Sequence, residues 1–257
     1  MRTLAVLLLL LSPVAGMPAS GGEYVRLPGG EFRSVLKYED RKGGLRISPF
    51  ELMRKPVTNA QFLGFVRNHP NWRRDRVARV FADDSYLTHW PGATALGPTA
   101  QALQPATQVS WFAAQAYCES EHARLPTWSE WEYAAAADET RGDARKDPAW
   151  RERILSWYSR PSSAALLATG LQAANVYGVQ DMHGMVWEWT ADFSALLVSG
   201  DSRNQGDADS SRFCGAGALS TDDPENYAVL MRVAMLSSLD ADDTTRNLGF
   251  RCARSIP

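Results

Sequence analysis

The chain has 257 residues, of which 45% are apolar and 22% are charged, and its formal net charge at pH 7 is -2. A chain of this length and apolar content can bury a substantial core as one large domain or two small ones. The nearly balanced charge excludes an overall basic surface, so neither nucleic acid nor an acidic membrane surface is expected as a partner.

The first residues have the pattern of a secretory signal. Arg2 precedes a leucine-rich run over residues 4–11, which Pro13 ends before small residues follow. An uncleaved membrane anchor is the alternative, but the run is too short, because crossing a membrane takes about 20 apolar residues. We therefore predict a signal peptide over residues 1–19 and a mature domain over residues 20–257. The mature protein is expected to be periplasmic or secreted and to have no membrane span.

The mature chain shows short predicted elements separated by turn residues. Residues 24–27 alternate in polarity and precede the turn sequence Pro-Gly-Gly and then Glu31, which predicts a β-hairpin. Capping residues followed by apolar periodicity predict three helices, and the caps are Thr58, Ser110 and either Thr127 or Ser129. Residues 68–106 are rich in Pro, Gly and Trp without a sustained period, which predicts a long irregular surface segment.

The second half of the chain has weaker signals. Residues 138–152 are charged and are predicted to be exposed, and no helix is predicted after residue 155. Short apolar pieces alternate there with Gly, Asp, Asn and Ser. The whole pattern is that of an α+β domain with few helices and much irregular chain.

The chain has three cysteines, at Cys118, Cys214 and Cys252. In an oxidising compartment two of them would be expected to pair, and the spacing alone does not say which two. A structural zinc site is not expected, because no pair of cysteines has zinc-ligand spacing and the four histidines are scattered.

Four ordered segments resemble the formylglycine-generating, or sulfatase-modifying, enzyme family. They are MRKPVTNAQF at 53–62; VSW at 109–111 with AYC at 116–118, RLPT at 124–127 and EWEYAA at 130–135; YGV at 177–179 with DMHGMVWEWT at 181–190; and NLGFRC at 247–252. Each segment alone is weak evidence, but the ordered set spans nearly the whole mature chain. The resemblance implies an α+β, C-type-lectin-like fold with little regular secondary structure. It also suggests the branch that contains pyoverdine-maturation and nitrite-reductase-associated proteins.

The resemblance implies a disulfide between Cys118 and Cys252. A bridge that closes a loop of more than about 100 residues stabilises a fold by about 4–5 kcal/mol in the chain-entropy model. The alternative is that both cysteines are buried free thiols.

The resemblance also implies a structural calcium site around the Trp-Glu-Trp sequence. Its ligands would be the side chains of Asp181 and Glu188 and the main-chain carbonyls of Gly184 and Val186. Calcium binds this mixture of carboxylate and carbonyl oxygens. The alternative is that Asp181 is a turn residue and Glu188 is the buried partner of an arginine.

The two thiolates that bind copper(I) in active members of the family are missing. Their positions correspond to Asp223 and Ala228, and neither side chain is the soft ligand that copper(I) prefers. Trp187, Ser220 and Tyr227 match residues that line the family's oxygen and substrate pocket, and His183 is grouped with them. The resemblance therefore implies a retained pocket without formylglycine-generating activity.

The candidate catalytic residues are Cys214, Asp223 and Tyr227. Cys214 is either a buried thiol or a reactive thiol that could bind iron or copper, and Asp223 is either a turn residue or a ligand or base. One function hypothesis is an exported protein that assists maturation of a periplasmic metalloenzyme or a secreted metabolite. Its partner would be a periplasmic protein or a small-molecule substrate. The alternative is a metal-dependent oxidoreductase that uses the inherited pocket with iron or copper.

Overall fold

The structure is a computed structural model that describes residues 22–34, 44–159, 165–195 and 227–256. Its largest sheet has three antiparallel strands in the order β1-β4-β7. They are β1 (Tyr24–Leu27), β4 (Phe50–Met53) and β7 (Ala253–Ser255). The central strand β4 therefore joins the first described residues to the last ones.

The predicted β-hairpin is wrong. Strand β2 (Gly30–Phe32) pairs with β3 (Leu45–Ile47), whereas β1 pairs with β4. The chain changes sheets at Gly29, which has a φ of +67° and lies so close to β3 that a Cβ there would come within 2.3 Å of the Ile47 carbonyl oxygen. Only glycine accepts both the left-handed backbone and this approach.

The three predicted helices and their caps are confirmed. They are α1 (Asn59–Asn68) capped by Thr58, α2 (Trp111–Ser120) capped by Ser110, and α3 (Trp128–Ala135) capped by Thr127. Each capping side chain accepts a hydrogen bond from a main-chain N–H in the first turn, and Gln61 and Glu130 complete capping boxes. These local bonds satisfy N–H groups that have no partner within the helix.

Two further helices contradict the expectation that no helix follows residue 155, and one of them begins in the segment over residues 138–152 that is predicted to be exposed. Helix α4 (Pro148–Tyr158) begins at the cap Asp147 and buries only Trp150 and Ile154. Helix α5 (Tyr227–Ser237) contains a fully buried arginine, Arg232. Helix α4 has too few buried residues to give a clear amphipathic pattern. Helix α5 lacks one because an arginine interrupts its apolar sequence.

The irregular segment over residues 68–106 is not confined to the surface. It contains a short 3-10 turn at Pro70–Trp72, but it also buries Tyr86, Leu87 and Trp90. The indole N–H of Trp90 donates to the side-chain oxygen of Asn59 at 3.1 Å. The segment therefore forms part of the core that surrounds α1 and α2.

Two long-range links hold the end of the chain against this core. Cys118 in α2 and Cys252 form a disulfide across a separation of 134 residues, and both are fully buried. Strand β5 (Trp187–Glu188) pairs in parallel with β6 (Leu248–Gly249), which brings Glu188 next to the segment containing Arg251. Within the described ranges, no helix is long and apolar enough to cross a membrane.

Candidate functional site

A fully buried arginine, Arg251, bonds to three other segments of the chain, at residues 53–54, 180–181 and 188. Its Nε and Nη2 groups donate to the two carboxylate oxygens of Glu188, each at 2.8 Å. Its Nη1 and Nη2 groups also donate to main-chain carbonyls, at 3.0–3.3 Å, of Met53, Arg54, Gln180 and Asp181. The guanidinium thus fixes the loop before β5 to the end of β4.

The carboxylate of Glu188 is largely committed to this pairing. In addition to the two bonds from Arg251, its Oε2 accepts the indole N–H of Trp131 at 2.9 Å. A carboxylate has about four acceptor positions, so one position on Oε1 remains. Glu188 is therefore the buried partner of an arginine, which is the alternative that the sequence analysis left open.

The carboxylate of Asp181 is buried and only half satisfied. Its side-chain Oδ2 accepts the main-chain N–H of Gly170, whereas Oδ1 is buried and has no hydrogen-bond partner among the described residues. Asp181 also has a φ of +59°, which is uncommon for a residue other than glycine. Burial raises its pKa, although the Gly170 N–H and the charge of Arg251 oppose that shift. A buried carboxylate oxygen without a donor is a place where a cation, a water or a ligand would be stabilised.

The structure has free oxygen atoms of the kinds expected for a calcium site. They are Asp181 Oδ1, the remaining position on Glu188 Oε1, and the carbonyls of Gly184 and Val186, which no hydrogen bond from a described residue reaches. Such oxygens fit a hard cation. No group of three or more His, Cys, Asp or Glu side chains suited to a metal ion occurs in the described part of the chain.

A second arginine limits how strongly a cation can bind there. Arg232 of α5 lies with its guanidinium carbon 3.5 Å from the ring centroid of Trp131, and it donates to the carbonyl oxygen of Glu188. Burial lowers the pKa of Arg232 to about 10. Arg232 and Arg251 balance the charges of Asp181 and Glu188, so an added cation has to compete with them. Sequence analysis missed Arg232, although a single arginine within an apolar run is the signal that could have identified it.

His183 lies inside a cage of aromatic rings rather than at an open metal position. Its Nε2 lies 2.8 Å from the carbonyl oxygen of Ala135, so it carries the proton, and its Nδ1 accepts the hydroxyl of Tyr158 at 3.2 Å. The neighbouring ring centroids, at 5.7–6.2 Å, belong to Trp131, Trp150, Trp157 and Tyr158. Burial lowers the pKa of His183 to about 4. The imidazole is therefore neutral at neutral pH, and both nitrogens are already used.

Trp187 is the second predicted pocket residue whose side chain the structure describes. Its ring stacks on Tyr158 with the centroids 5.1 Å apart, and Tyr158 in turn bonds to His183. Burial raises the pKa of Tyr158 to about 12. The structure thus links Trp187 and His183 through Tyr158, a residue that sequence analysis did not identify.

The other predicted site residues are not placed. Cys214, Ser220 and Asp223 lie outside the described residues, and of Tyr227 only the helical backbone at the start of α5 is described. Their proximity to Trp187 stays a prediction.

The short sheets, capped helices and core-forming irregular segments make up an α+β domain with little regular secondary structure. Residues 13–256 match the model of the sulfatase-modifying factor enzyme 1-like domain, and the chain belongs to that family. It is 30% identical to a formylglycine-generating enzyme of Streptomyces coelicolor over 93% of this chain and 91% of the relative.

Two further similarities agree with this assignment. The chain is 28% identical to the inactive C-alpha-formylglycine-generating enzyme 2 of Mus musculus, over 90% of this chain and 85% of the relative. The crystal structure of CarF superposes with a TM-score of 0.52 at 18% identity, covering 92% of this chain and 99% of that one. At that identity, the structural similarity supports the fold alone.

Proposed function

We propose that this chain is an exported maturation-type protein that assists a periplasmic metalloenzyme or a secreted metabolite and does not form formylglycine. The observation that supports the absence of formylglycine formation is the count of thiols. The chain has three cysteines and two of them form the Cys118–Cys252 disulfide, so Cys214 is the only one left. A copper(I) centre held by two thiolates cannot be assembled from one.

The positions that would carry those thiolates support the same proposal. Asp223 offers a hard carboxylate and Ala228 offers no ligand. The mouse relative of similar coverage is itself named as an inactive enzyme, so loss of the activity is compatible with this family. Export is supported by the N-terminal pattern, and N-terminal sequencing of the periplasmic protein should find a start between residues 17 and 23.

Incubating the mature protein with copper and a cysteine-containing sulfatase peptide is expected to give no aldehyde product by mass spectrometry. The reason is that the metal must capture the substrate thiol and activate oxygen, and the chain lacks the thiolates to hold it. The Streptomyces coelicolor relative serves as the positive control. The double variant Asp223→Cys with Ala228→Cys tests whether copper(I) binding can be restored. Clear aldehyde formation by the unaltered protein would refute the proposal.

A metal-dependent oxidoreductase is the second candidate, and the Tyr158–His183 pair beside Trp187 favours it. Tyr158 stacks on Trp187 and donates its hydroxyl to His183, so the side of Trp187 on which a group could bind is held in a fixed position. Elemental analysis of the purified periplasmic protein separates the candidates. About one iron or copper ion per chain would support the oxidoreductase. A protein that contains neither metal would support the maturation role.

We also propose that the loop before β5 binds calcium, held by Asp181 Oδ1, the carbonyls of Gly184 and Val186, and Glu188 Oε1. The buried Asp181 oxygen without a partner supports this proposal. Bound calcium would supply positive charge that locks the loop, and it would stabilise only the folded protein.

Calcium is expected to raise the melting temperature of the wild type, and Asp181→Ala is expected to abolish the increase. At a concentration about 100 times Kd, the gain in free energy of unfolding is about 2.7 kcal/mol, which corresponds to about 5–10 °C for a chain of this size. Asp84→Ala is the matched control, because that side chain is 83% exposed. An unchanged melting temperature on chelation, together with no calcium by elemental analysis, would contradict the proposal.

A further inference from the structure

A cavity of about 250 Å³ lies where strand β4 leads into helix α1. It is lined by residues 22–23, 53–56, 58, 60–61 and Leu103. A cavity of a few hundred Å³ can admit a small organic molecule. None of these lining residues belongs to the predicted catalytic, pocket or calcium residues, so the cavity is a separate place on the domain.

Main-chain hydrogen bonds hold the walls of this cavity together. The first two N–H groups of α1 donate to the carbonyls of Gln104 and Ala102, at 2.9 and 3.0 Å, which places Leu103 beside the first turn of the helix. On the other side, the N–H of Arg54 donates to the carbonyl of Glu23 at 2.8 Å. The start of β1, the end of β4 and the start of α1 are therefore fixed around one space.

Lys55 brings an unpaired positive charge to the cavity. Glu23 and Arg54 pair with each other at 2.9 Å, whereas Lys55 has neither an ion pair nor a hydrogen-bond acceptor in the described part of the chain. Its side chain packs against Gly170, where a Cβ would come within 2.7 Å of Lys55 Cδ. Gly170 also has a φ of +83°, so glycine suits both the backbone and the space that Lys55 needs.

Gln61 supplies a second donor at the cavity. Its side-chain Oε1 accepts from the N–H and the hydroxyl of Thr58, each at 2.9 Å, and its amide Nε2 has no acceptor within the described ranges. The first turn of α1 lines the cavity, so the positive end of the helix dipole adds to the charge of Lys55. Because the first two N–H groups of α1 are already bonded, the side chains of Lys55 and Gln61 are the donors that an anion would meet.

The rest of the lining is largely hydrocarbon, from Met53, Pro56, Ala60 and Leu103. Leu103 is 65% exposed, so a ligand that covers it removes apolar surface from water. A neutral or cationic compound would leave Lys55 unpaired, and a dianion would bring one negative charge more than Lys55 balances. An acid with one negative charge and a hydrocarbon chain matches both the charge and the walls.

We propose that this cavity binds a monocarboxylic acid with a short hydrocarbon chain. The carboxylate accepts from Lys55 Nζ and Gln61 Nε2, and the chain lies against Met53, Pro56 and Leu103. The bond from Lys55 is charge-assisted, which makes it the stronger of the two. This ligand class goes beyond the proposed function, which assigns nothing to this cavity.

Calorimetric titration of the mature protein with acetate, butanoate and hexanoate tests the proposal. Hexanoate is expected to have a Kd at least about tenfold lower than acetate, because each buried CH₂ group strengthens binding about threefold to fourfold. Hexylammonium and 1-hexanol are the matched control compounds. They should bind at least about tenfold more weakly than hexanoate, because neither can accept a charge-assisted bond from Lys55 through a carboxylate.

Substitutions locate the binding. Lys55→Met should raise the Kd for hexanoate about tenfold or more. Gln61→Glu keeps the capping box, since glutamate accepts at the same position, but it replaces the amide donor by a negative charge and should also raise the Kd about tenfold or more. Lys146→Met is the matched control, because it removes the same charge from an exposed residue outside the cavity.

The variant Leu103→Ser tests the apolar wall separately from the charge. It should reduce the difference in Kd between acetate and hexanoate and leave the Kd for acetate unchanged, and the exposure of Leu103 makes the change compatible with folding. The inference is overturned by any of three results. They are no binding of any of the three acids, hexylammonium or 1-hexanol binding as tightly as hexanoate, and an unchanged Kd in both Lys55→Met and Gln61→Glu.

Discussion

Replacing Arg251 by methionine is expected to lower the free energy of unfolding by about 3–5 kcal/mol. Both Arg251 and Glu188 are fully buried, so the substitution leaves a carboxylate in the core with Trp131 as its remaining side-chain donor. The four carbonyls that Arg251 bonds also lose one donor each, although the Arg54 carbonyl keeps the main-chain N–H of Gln180. Urea denaturation of the purified mature protein measures the loss.

The double variant Arg251→Met with Glu188→Leu identifies which part of the loss comes from the unpaired charge. It removes the buried carboxylate as well, so it should recover part of the stability but not the bonds to the four carbonyls. Arg46→Met is the surface control, because Arg46 and Glu31 are 81% and 67% exposed and such pairs contribute at most about 1 kcal/mol. A loss no larger than that of the control would show that Arg251 does not hold the loop.

The parts of the fold that the sequence predicts depend on neighbouring residues. Thr58, Ser110 and Thr127 each bond to a main-chain N–H three residues ahead. Such bonds need no information from elsewhere in the chain, so the three helices and their starts could be predicted. The capping signal of α4, Asp147 followed by proline, was also present. No apolar periodicity accompanies that signal, since the helix buries only Trp150 and Ile154.

The errors come from pairing at a distance. Strand β1 alternates as a hairpin strand would, but its partner β4 begins more than 20 residues later. Alternation shows that a segment is half-buried and extended, and it does not say which strand lies beside it. The turn at Gly29 was recognised, but the same turn can join two strands of one hairpin or send the chain to another sheet.

The functional site likewise has parts that the local sequence predicts and parts that depend on tertiary contacts. That Glu188 would be a buried partner of an arginine was a recognised alternative, but the choice of Arg251 depends on the parallel pairing of β5 with β6. The aromatic cage around His183 could not be predicted, because α4 itself was missed and because Trp150, Trp157 and Tyr158 reach His183 only through tertiary packing. Predicting which charges pair inside a core therefore requires the topology, whereas predicting a helix cap does not.

Removing the Cys118–Cys252 disulfide is expected to lower the free energy of unfolding by about 5 kcal/mol. The bridge closes a loop of 134 residues, and in the chain-entropy model the loss of such a constraint frees the unfolded chain by about that amount. Comparing wild type with and without reductant keeps the side chains the same, so it measures the cross-link apart from packing. The variant Cys118→Ala with Cys252→Ala should lose somewhat more, because both sulfurs are fully buried and their removal leaves space in the core.

Thiol titration of the unfolded protein provides the control for this comparison. Three cysteines minus two in the bridge leave one, so the unreduced wild type should react as one thiol per chain and the reduced protein as three. Three reactive thiols without reductant would contradict the disulfide and, with it, the argument that too few thiolates remain for copper. One thiol together with a stability that reductant does not change would mean that the unfolded chain stays compact enough for the cross-link to constrain little.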